Sequence, residues 1–342
     1  MIFLGDLSVP DKEHLSLLLN DLDLSKIIKN ETVILNLEGV LLPEIPSDCF
    51  WKVYNCKEVL ELRKHCKKLI VSLANNHLYD FPEGIQPMTK MLEDNDIDYF
   101  GLYENNQIKP YEFSVERIQY AVFGHCWNIY TKSNPNKKTS DRVVDCTYQE
   151  LYNTIKEYIN KNPETRVICF PHWNFDLEEY PFPAHKKFSR DLIDAGAEIV
   201  VGNHAHCMQE AELYKGKVIA YGLGNLYMPS GVFFNGKLCF PEISNKMCAI
   251  KIKETNGAHT VYDFFTDIDG RAIVLKGKRT LHEDSRSIQQ YIEFFKINRK
   301  KKTLVPIFRD YKDSIENRLK TEFLLYRINS IRLLKKLLNK GL

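Results

Sequence analysis

Short apolar runs, each closed by a polar residue able to do chemistry, constrain this chain more than any other feature. Runs at 2–4, 33–37, 69–73, 120–123, 167–170, 199–201 and 218–221 have the length and composition of strands. Between several of them lie segments with helical spacing, at 57–66, 84–94, 148–160 and 185–195. Strands alternating with amphipathic helices predict a layered α/β fold whose central strands are buried on both faces. After Asn225 the pattern changes to alternating segments at 247–253, 259–265 and 271–275, the last following Asp269-Gly270. That change predicts an antiparallel portion closing the sheet.

The residues closing the runs form a set. Asp6 follows the first run, and Asn36 and Glu38 close the second. Asn75, Asn76 and His77 follow the third, and His172 follows 167–171. His204 and His206 follow 199–201, and Asn225 follows 218–224. Carboxyl ends of parallel strands share one rim, where ligands bind. Oxygen and imidazole donors without thiolate suit Mn²⁺, Fe or Zn²⁺. Two ions about 3.5–4 Å apart could share a bridging carboxylate, and Glu38 is the best candidate for it. Taken singly, each residue has a plainer reading. Asp6 would be a turn or N-cap residue, Glu38 a surface charge, and His172 a core histidine beside Trp173. The Gly202-Asn203-His204-Ala205-His206 turn is the hardest to explain by packing.

Composition adds boundaries. The 342 residues are 44% hydrophobic and 27% charged, ordinary for a globular chain and unlike a disordered or fibrous one, while a net charge of +2 says little about partners. No apolar run approaches the ~18–20 residues that span a bilayer, and the first six residues lack a signal-peptide pattern. Nine scattered cysteines without a C-x-x-C pair predict reduced thiols and a cytoplasmic setting. From Glu283 onward there are 15 Lys/Arg against 7 Asp/Glu, so the C-terminal part is basic. The expected division is therefore 1–282 and a basic helical extension, 283–342. Its last stretch, 328–338, is an amphipathic basic helix suited to an anionic membrane face or a synthase complex, or to its own core. A specific nucleic-acid role is not expected, because Lys300-Lys301-Lys302 is short and stands in no known module.

As a set, Gly5-Asp6, Asn36-Leu37-Glu38, Ala74-Asn75-Asn76-His77 with Asp80 and Gly84, Pro171-His172-Trp173, Gly202-Asn203-His204-Ala205-His206 and Leu223-Gly224-Asn225 resemble the bacterial CapA family. These are poly-γ-glutamate capsule synthesis proteins related to calcineurin-like metallophosphoesterases. The resemblance covers roughly residues 1–230. It implies a four-layer αββα sandwich with two divalent metal ions. Asp6, Glu38 and His206 would hold one, and Glu38, Asn76, His172 and His204 the other. His77 would be the general acid, oriented by Asp80. Asn36, Asn75, Asn225 and Trp173 would face an anionic polymer or phosphoester substrate. The implied activity is metal-dependent hydrolysis in capsule or surface-polymer assembly; a polymer transferase, ligase or non-hydrolytic accessory role is the alternative. Two positions depart from the pattern. Ser8 stands where the wider superfamily has a histidine, and Asn174 stands where glycine is frequent, with a side chain expected to narrow the cleft.

Overall fold

The structure is a computed structural model, and it describes residues 1–19, 22–46, 49, 52–131, 142–252, 259–266 and 273–299. In chain order the strands are β1 (Ile2–Leu7), β2 (Thr32–Leu37), β3 (Val40–Leu42), β4 (Tyr54–Cys56), β5 (Lys68–Ser72), β6 (Ile97–Phe100), β7 (Tyr111–Val115) and β8 (Ile118–Cys126). There follow β9 (Arg166–His172), β10 (Ile199–Val201), β11 (Ala211–Tyr214), β12 (Lys217–Ala220), β13 (Asn225–Tyr227), β14 (Lys246–Ile252), β15 (His259–Thr266) and β16 (Ile273–Thr280). The α-helices are α1 (Lys12–Leu19), α2 (Leu22–Ile28), α3 (Ile85–Asp94), α4 (Asn128–Thr131), α5 (Tyr148–Lys161), α6 (Pro183–Asp194) and α7 (Ile288–Asn298).

Two sheets face each other. The first runs β16-β15-β14-β1-β2-β5-β6, with β13 joined to β1, and the second runs β11-β12-β10-β9-β8-β7. Strands β1, β2, β5 and β6 are mutually parallel, as are β8, β9, β10 and β12. The β14–β16 portion is antiparallel, as its alternation predicted.

Successive residues of a strand point to opposite faces, and that alternation builds the layers. Phe3, Ile34 and Ile70 of the first sheet meet Ile168, Phe170, Ile199 and Val201 of the second in the middle core. Their neighbours Ile2, Leu4, Val33, Leu35 and Val71 face outward onto α1–α3 through Leu15, Leu18, Ile28, Ile85 and Met88. On the far side Val167, Cys169, Val200 and Ile219 pack against Leu151 and Ile155 of α5, Leu192 of α6, and Tyr291 and Phe295 of α7. The four layers are therefore helix, sheet, sheet, helix.

The helices begin where their chemistry dictates. Thr147 and Glu150 form a reciprocal capping box at α5, and Ser287 and Gln290 form another at α7. Pro183 opens α6 at a position whose N–H would have no partner in the helix.

Two expectations change. Residues 57–66 do not form an α-helix; Lys57–His65 is a 3₁₀ helix, burying Val59 and Leu62 three residues apart. The boundary at 283 also moves. Helix α7 packs into the outer core, and Arg299 pairs with buried Glu178, so residues 288–299 are held against the preceding layers. The basic segment 328–338 lies outside the described residues. Among the described residues none of the nine cysteines forms a disulfide. Among the described residues no helix is long and apolar enough to cross a membrane.

Candidate metal centre

The carboxyl ends of the parallel strands in both sheets meet on one rim. The first sheet delivers oxygen donors. Asp6 is the penultimate residue of β1, Glu38 follows β2, and Asn76 follows β5. The second delivers imidazoles, with His172 at the end of β9 and His204 and His206 just beyond β10. His204 has φ +88° and His206 φ +50°. Non-glycine residues rarely adopt these conformations, which persist only where the surroundings over-determine them.

The donor atoms converge. His172 Nε2 lies 2.8 Å from Asn76 Oδ1 and 2.9 Å from His204 Nδ1. Glu38 Oε1 is 3.9 Å from His172 Nε2, 3.6 Å from His206 Nε2 and 3.9 Å from His77 Nε2. One ligand atom each from Glu38, His204 and His206 lie within 4.8 Å of one another. The amide of Asn36 donates to Asp6 Oδ1 at 2.8 Å, and the His204 N–H donates to Asp6 Oδ2 at 3.1 Å. His206 Nδ1 donates to Asn225 Oδ1 at 2.9 Å, leaving Nε2 turned toward Glu38.

Asp6 and Glu38 are both fully buried, and neither oxygen of Glu38 has a hydrogen-bond partner. Burial pushes Glu38 well above the ordinary carboxylate range, and the nearby Asp6 charge adds to this while His206 opposes it. Burial likewise raises Asp6 against the pull of His206. Burial and the neighbouring histidines hold His172 well below the ordinary imidazole range. His206 goes the other way: burial disfavours its charged form, but Glu38 and Asp6 outweigh that and raise it. Among the described residues no Lys or Arg pairs with Asp6 or Glu38. A desolvated carboxylate without a partner costs several kcal/mol, and a cation removes that cost. The donor set therefore fits the divalent ions that the sequence led us to expect.

His77 and Asp80 share the 3₁₀ turn Asn76–Asp80. Three residues per turn stacks i over i+3, which places His77 Nδ1 2.7 Å from Asp80 Oδ2. Asp80 is itself fixed by the Val53 N–H at 2.9 Å. His77 Nε2 is left pointing into the site.

Other expected site residues are placed differently. Trp173 does not face the site. It is fully buried, stacks on His185 with centroids 4.7 Å apart, and donates Nε1–H to Tyr221 O. It follows His172 at a strand end, so it points to the opposite face. Asn174 does not narrow the cleft either; it turns into the core and bonds Gln209, His185 and the Phe182 N–H. Asn75 donates to Leu37 O and accepts from the Gly39 N–H, so it shapes the loop that carries Glu38. Asn36 orients Asp6 in the same way. Ser8 donates its hydroxyl to Tyr54 O at 2.9 Å and contributes nothing to the cluster.

Sequence reasoning missed Asp176, whose Oδ1 lies 3.0 Å from His204 Nε2. Only its position four residues beyond His172 could have pointed to it. It also missed the aromatic rims: Phe234 lies 6.0 Å from the His77 ring and Phe240 5.3 Å from that of His206.

Several known proteins are similar to this chain. Capsule biosynthesis protein CapA of Bacillus anthracis is 27% identical over 183 residues, covering 51% of this chain and 44% of that protein. PGA biosynthesis protein CapA of Bacillus subtilis (strain 168) is 28% identical over 181 residues, covering 51% and 46%. A probable polyglutamine synthesis accessory protein of Mycobacterium tuberculosis is 34% identical over 189 residues, covering 50% and 47%. The match thus spans about half the length of these relatives. Among solved structures, a hypothetical protein from Thermus thermophilus aligns with a TM-score of 0.44 at 16% identity, covering 83% of this chain and 99% of that one. The NAD nucleotidase NadN of Haemophilus influenzae aligns at 0.39 with 12% identity, covering 96% and 66%. The family described as bacterial capsule synthesis protein PGA_cap matches residues 22–230. That stretch is more than half of the chain and holds every residue of the rim except Asp6, so this protein belongs to the PGA_cap capsule synthesis family.

Proposed function

We propose that the protein is a divalent-cation-dependent hydrolase of the phosphoesterase type, acting on an anionic polymer or phosphoester during capsule or surface-polymer assembly. The observation that carries this reading is Glu38: a buried carboxylate with no hydrogen-bond partner on either oxygen, ringed by three histidines. Asp6, Glu38 and His206 would hold one ion, and Glu38, Asn76, His172 and His204 the other. Ions there would supply Lewis-acid stabilisation of negative charge and lower the pKa of a water.

The chain's own residues do the rest. Asp80 accepts from His77 Nδ1–H and so fixes the ring with Nε2 toward the site. Protonated at Nε2, His77 can deliver a proton to a departing oxygen. Asn36 and the His204 N–H hold Asp6, and Asn225 holds His206. The carboxylates of the rim would repel an anionic substrate on their own, which couples substrate binding to cation uptake.

Metal analysis of purified protein, followed by a panel of phosphomonoesters and phosphodiesters with added Mn²⁺, tests the reading. Absence of both bound metal and turnover would sink it. A second reading is favoured by the M. tuberculosis relative, which is named an accessory protein. In it the site grips an anionic polymer without cleaving it, or passes it to an acceptor other than water. Product analysis with and without a polymer acceptor separates these. The basic C-terminal segment would be the membrane or synthase contact; loss of vesicle co-sedimentation in a chain ending at 299, with catalysis intact, is the expected result.

A further inference from the structure

We infer that Asp176 is a positioning residue for the cation site, acting through His204 as the outer carboxylate of a carboxylate–imidazole–cation arrangement. The inference rests on the cation-dependent reading above.

The argument begins with the two ring nitrogens of His204. Nδ1 faces the cluster, 2.9 Å from His172 Nε2, while Nε2 faces away toward Asp176 Oδ1 at 3.0 Å. A neutral imidazole carries one proton. If it sits on Nε2, shared with Asp176, the Nδ1 lone pair points at the site, which is the form that ligates a cation. A carboxylate on the outer nitrogen selects this tautomer, fixes the ring plane and raises the basicity of the inner nitrogen. The Asp176 side chain is 67% exposed, so its carboxylate meets His204 from the solvent side of the rim.

The backbone around it is built to hold this geometry. The Leu177 N–H donates to Ala205 O at 2.8 Å, tying the Asp176 loop to the histidine turn itself. Glu178 O accepts from Gln209 Nε2 at 2.5 Å, and the Glu178 carboxylate takes Arg299 Nε at 2.8 Å and Nη2 at 2.6 Å. Glu178 and Arg299 are both buried. Asp176 therefore sits on a strap pinned on one side to His204's own turn and on the other to the chain just past α7.

The test is isothermal titration of Mn²⁺ into the full chain and into its Asp176→Asn and Asp176→Glu variants, with the melting temperature of the cation-free proteins measured alongside. Asp176→Asn should weaken Mn²⁺ binding roughly 10–100-fold, with an unchanged melting temperature. Asp176→Glu should recover part of the loss. Affinity in Asp176→Asn equal to that of the parent chain would overturn the inference. Loss of one whole Mn²⁺ equivalent, with the remaining affinity unaltered, would also overturn it by making Asp176 a direct ligand. Failure of the parent chain itself to take up Mn²⁺ is a different result, which removes the cation reading and this inference with it.

Discussion

Burial of an ionisable group without a hydrogen bond stores free energy that a ligand or a mutation can release, and Glu38 is where this protein stores it. Glu38→Gln keeps the shape and removes the charge. In cation-free protein at neutral pH that variant should be more stable than the parent by about 1–3 kcal/mol, the scale of a buried group left unsatisfied. A chemical denaturation series in chelator checks this. The same variant should lose Mn²⁺ binding. His77→Ala should behave oppositely, keeping the cation and losing roughly 10²–10⁴-fold in turnover, the range for general acid catalysis; metal content and steady-state rates on one preparation give both numbers. At this scale the gathering of Asp6, Glu38, His172, His204 and His206 on one rim was legible, because each closes an apolar run. Trp173 was misjudged by proximity to His172, since adjacent residues on a strand face opposite ways. Asp176 was illegible because it lies in the acidic stretch Asp176-Leu177-Glu178-Glu179, where nothing in the sequence distinguishes one carboxylate from another.

Individual elements carry constraints of their own. His125 near the end of β8 is fully buried, with Nε2 donating to Cys146 O. Burial lowers its pKa to about 4. The unfolded chain takes up that proton near pH 6.5 and the folded one only near 4, so the stability is whole above about 6.5 and drains away as pH falls toward 4. The loss amounts to about 3 kcal/mol at ~1.4 kcal/mol per unit. His125→Gln should flatten that part of a pH–melting-temperature profile. Gly202, between β10 and the histidine turn, is packed under the Trp173 indole, where an added Cβ would sit 2.1 Å from Nε1 and 2.3 Å from Tyr221 O. Gly202→Ala should cost ~3 kcal/mol or more and disturb His204 and His206, visible as a lower melting temperature together with weaker Mn²⁺ binding. The central strands announced themselves as continuous apolar runs because both their faces are covered. Edge strand β7, Tyr111–Val115, did not, since it alternates buried and solvent-facing residues over only five positions.

At the scale of the whole molecule, residues 283–299 pack onto the layers they were expected to leave. Tyr291, Ile292 and Phe295 are buried, Tyr291 donates its hydroxyl to Pro181 O, and Asp284 pairs with fully buried Lys186. A chain ending at 282 should lose on the order of 5 kcal/mol, from about 1.5–3 kcal/mol for each buried side chain removed. Differential scanning calorimetry of that chain against one ending at 299, which keeps all of α7, measures the loss. The charge pattern that suggested a separate extension from 283 is real, but all of the excess lies after residue 299. Charge alone could not show that the apolar face of 288–298 already had a place to dock.

The rim also divides its donors by sheet, with oxygen atoms on one wall of the sandwich and imidazole nitrogens on the other. Each wall supplies only part of the donor set assigned to either ion, so full coordination has to wait until the two sheets have docked. Once captured, the ion would act as a rivet across the seam. Saturation at about 100 times Kd should then add ~2.7 kcal/mol to unfolding, and chelation should open the sandwich first at this rim. Metal uptake in this protein would thus serve as a proofreading signal: only a chain that has brought its halves into register can be armed.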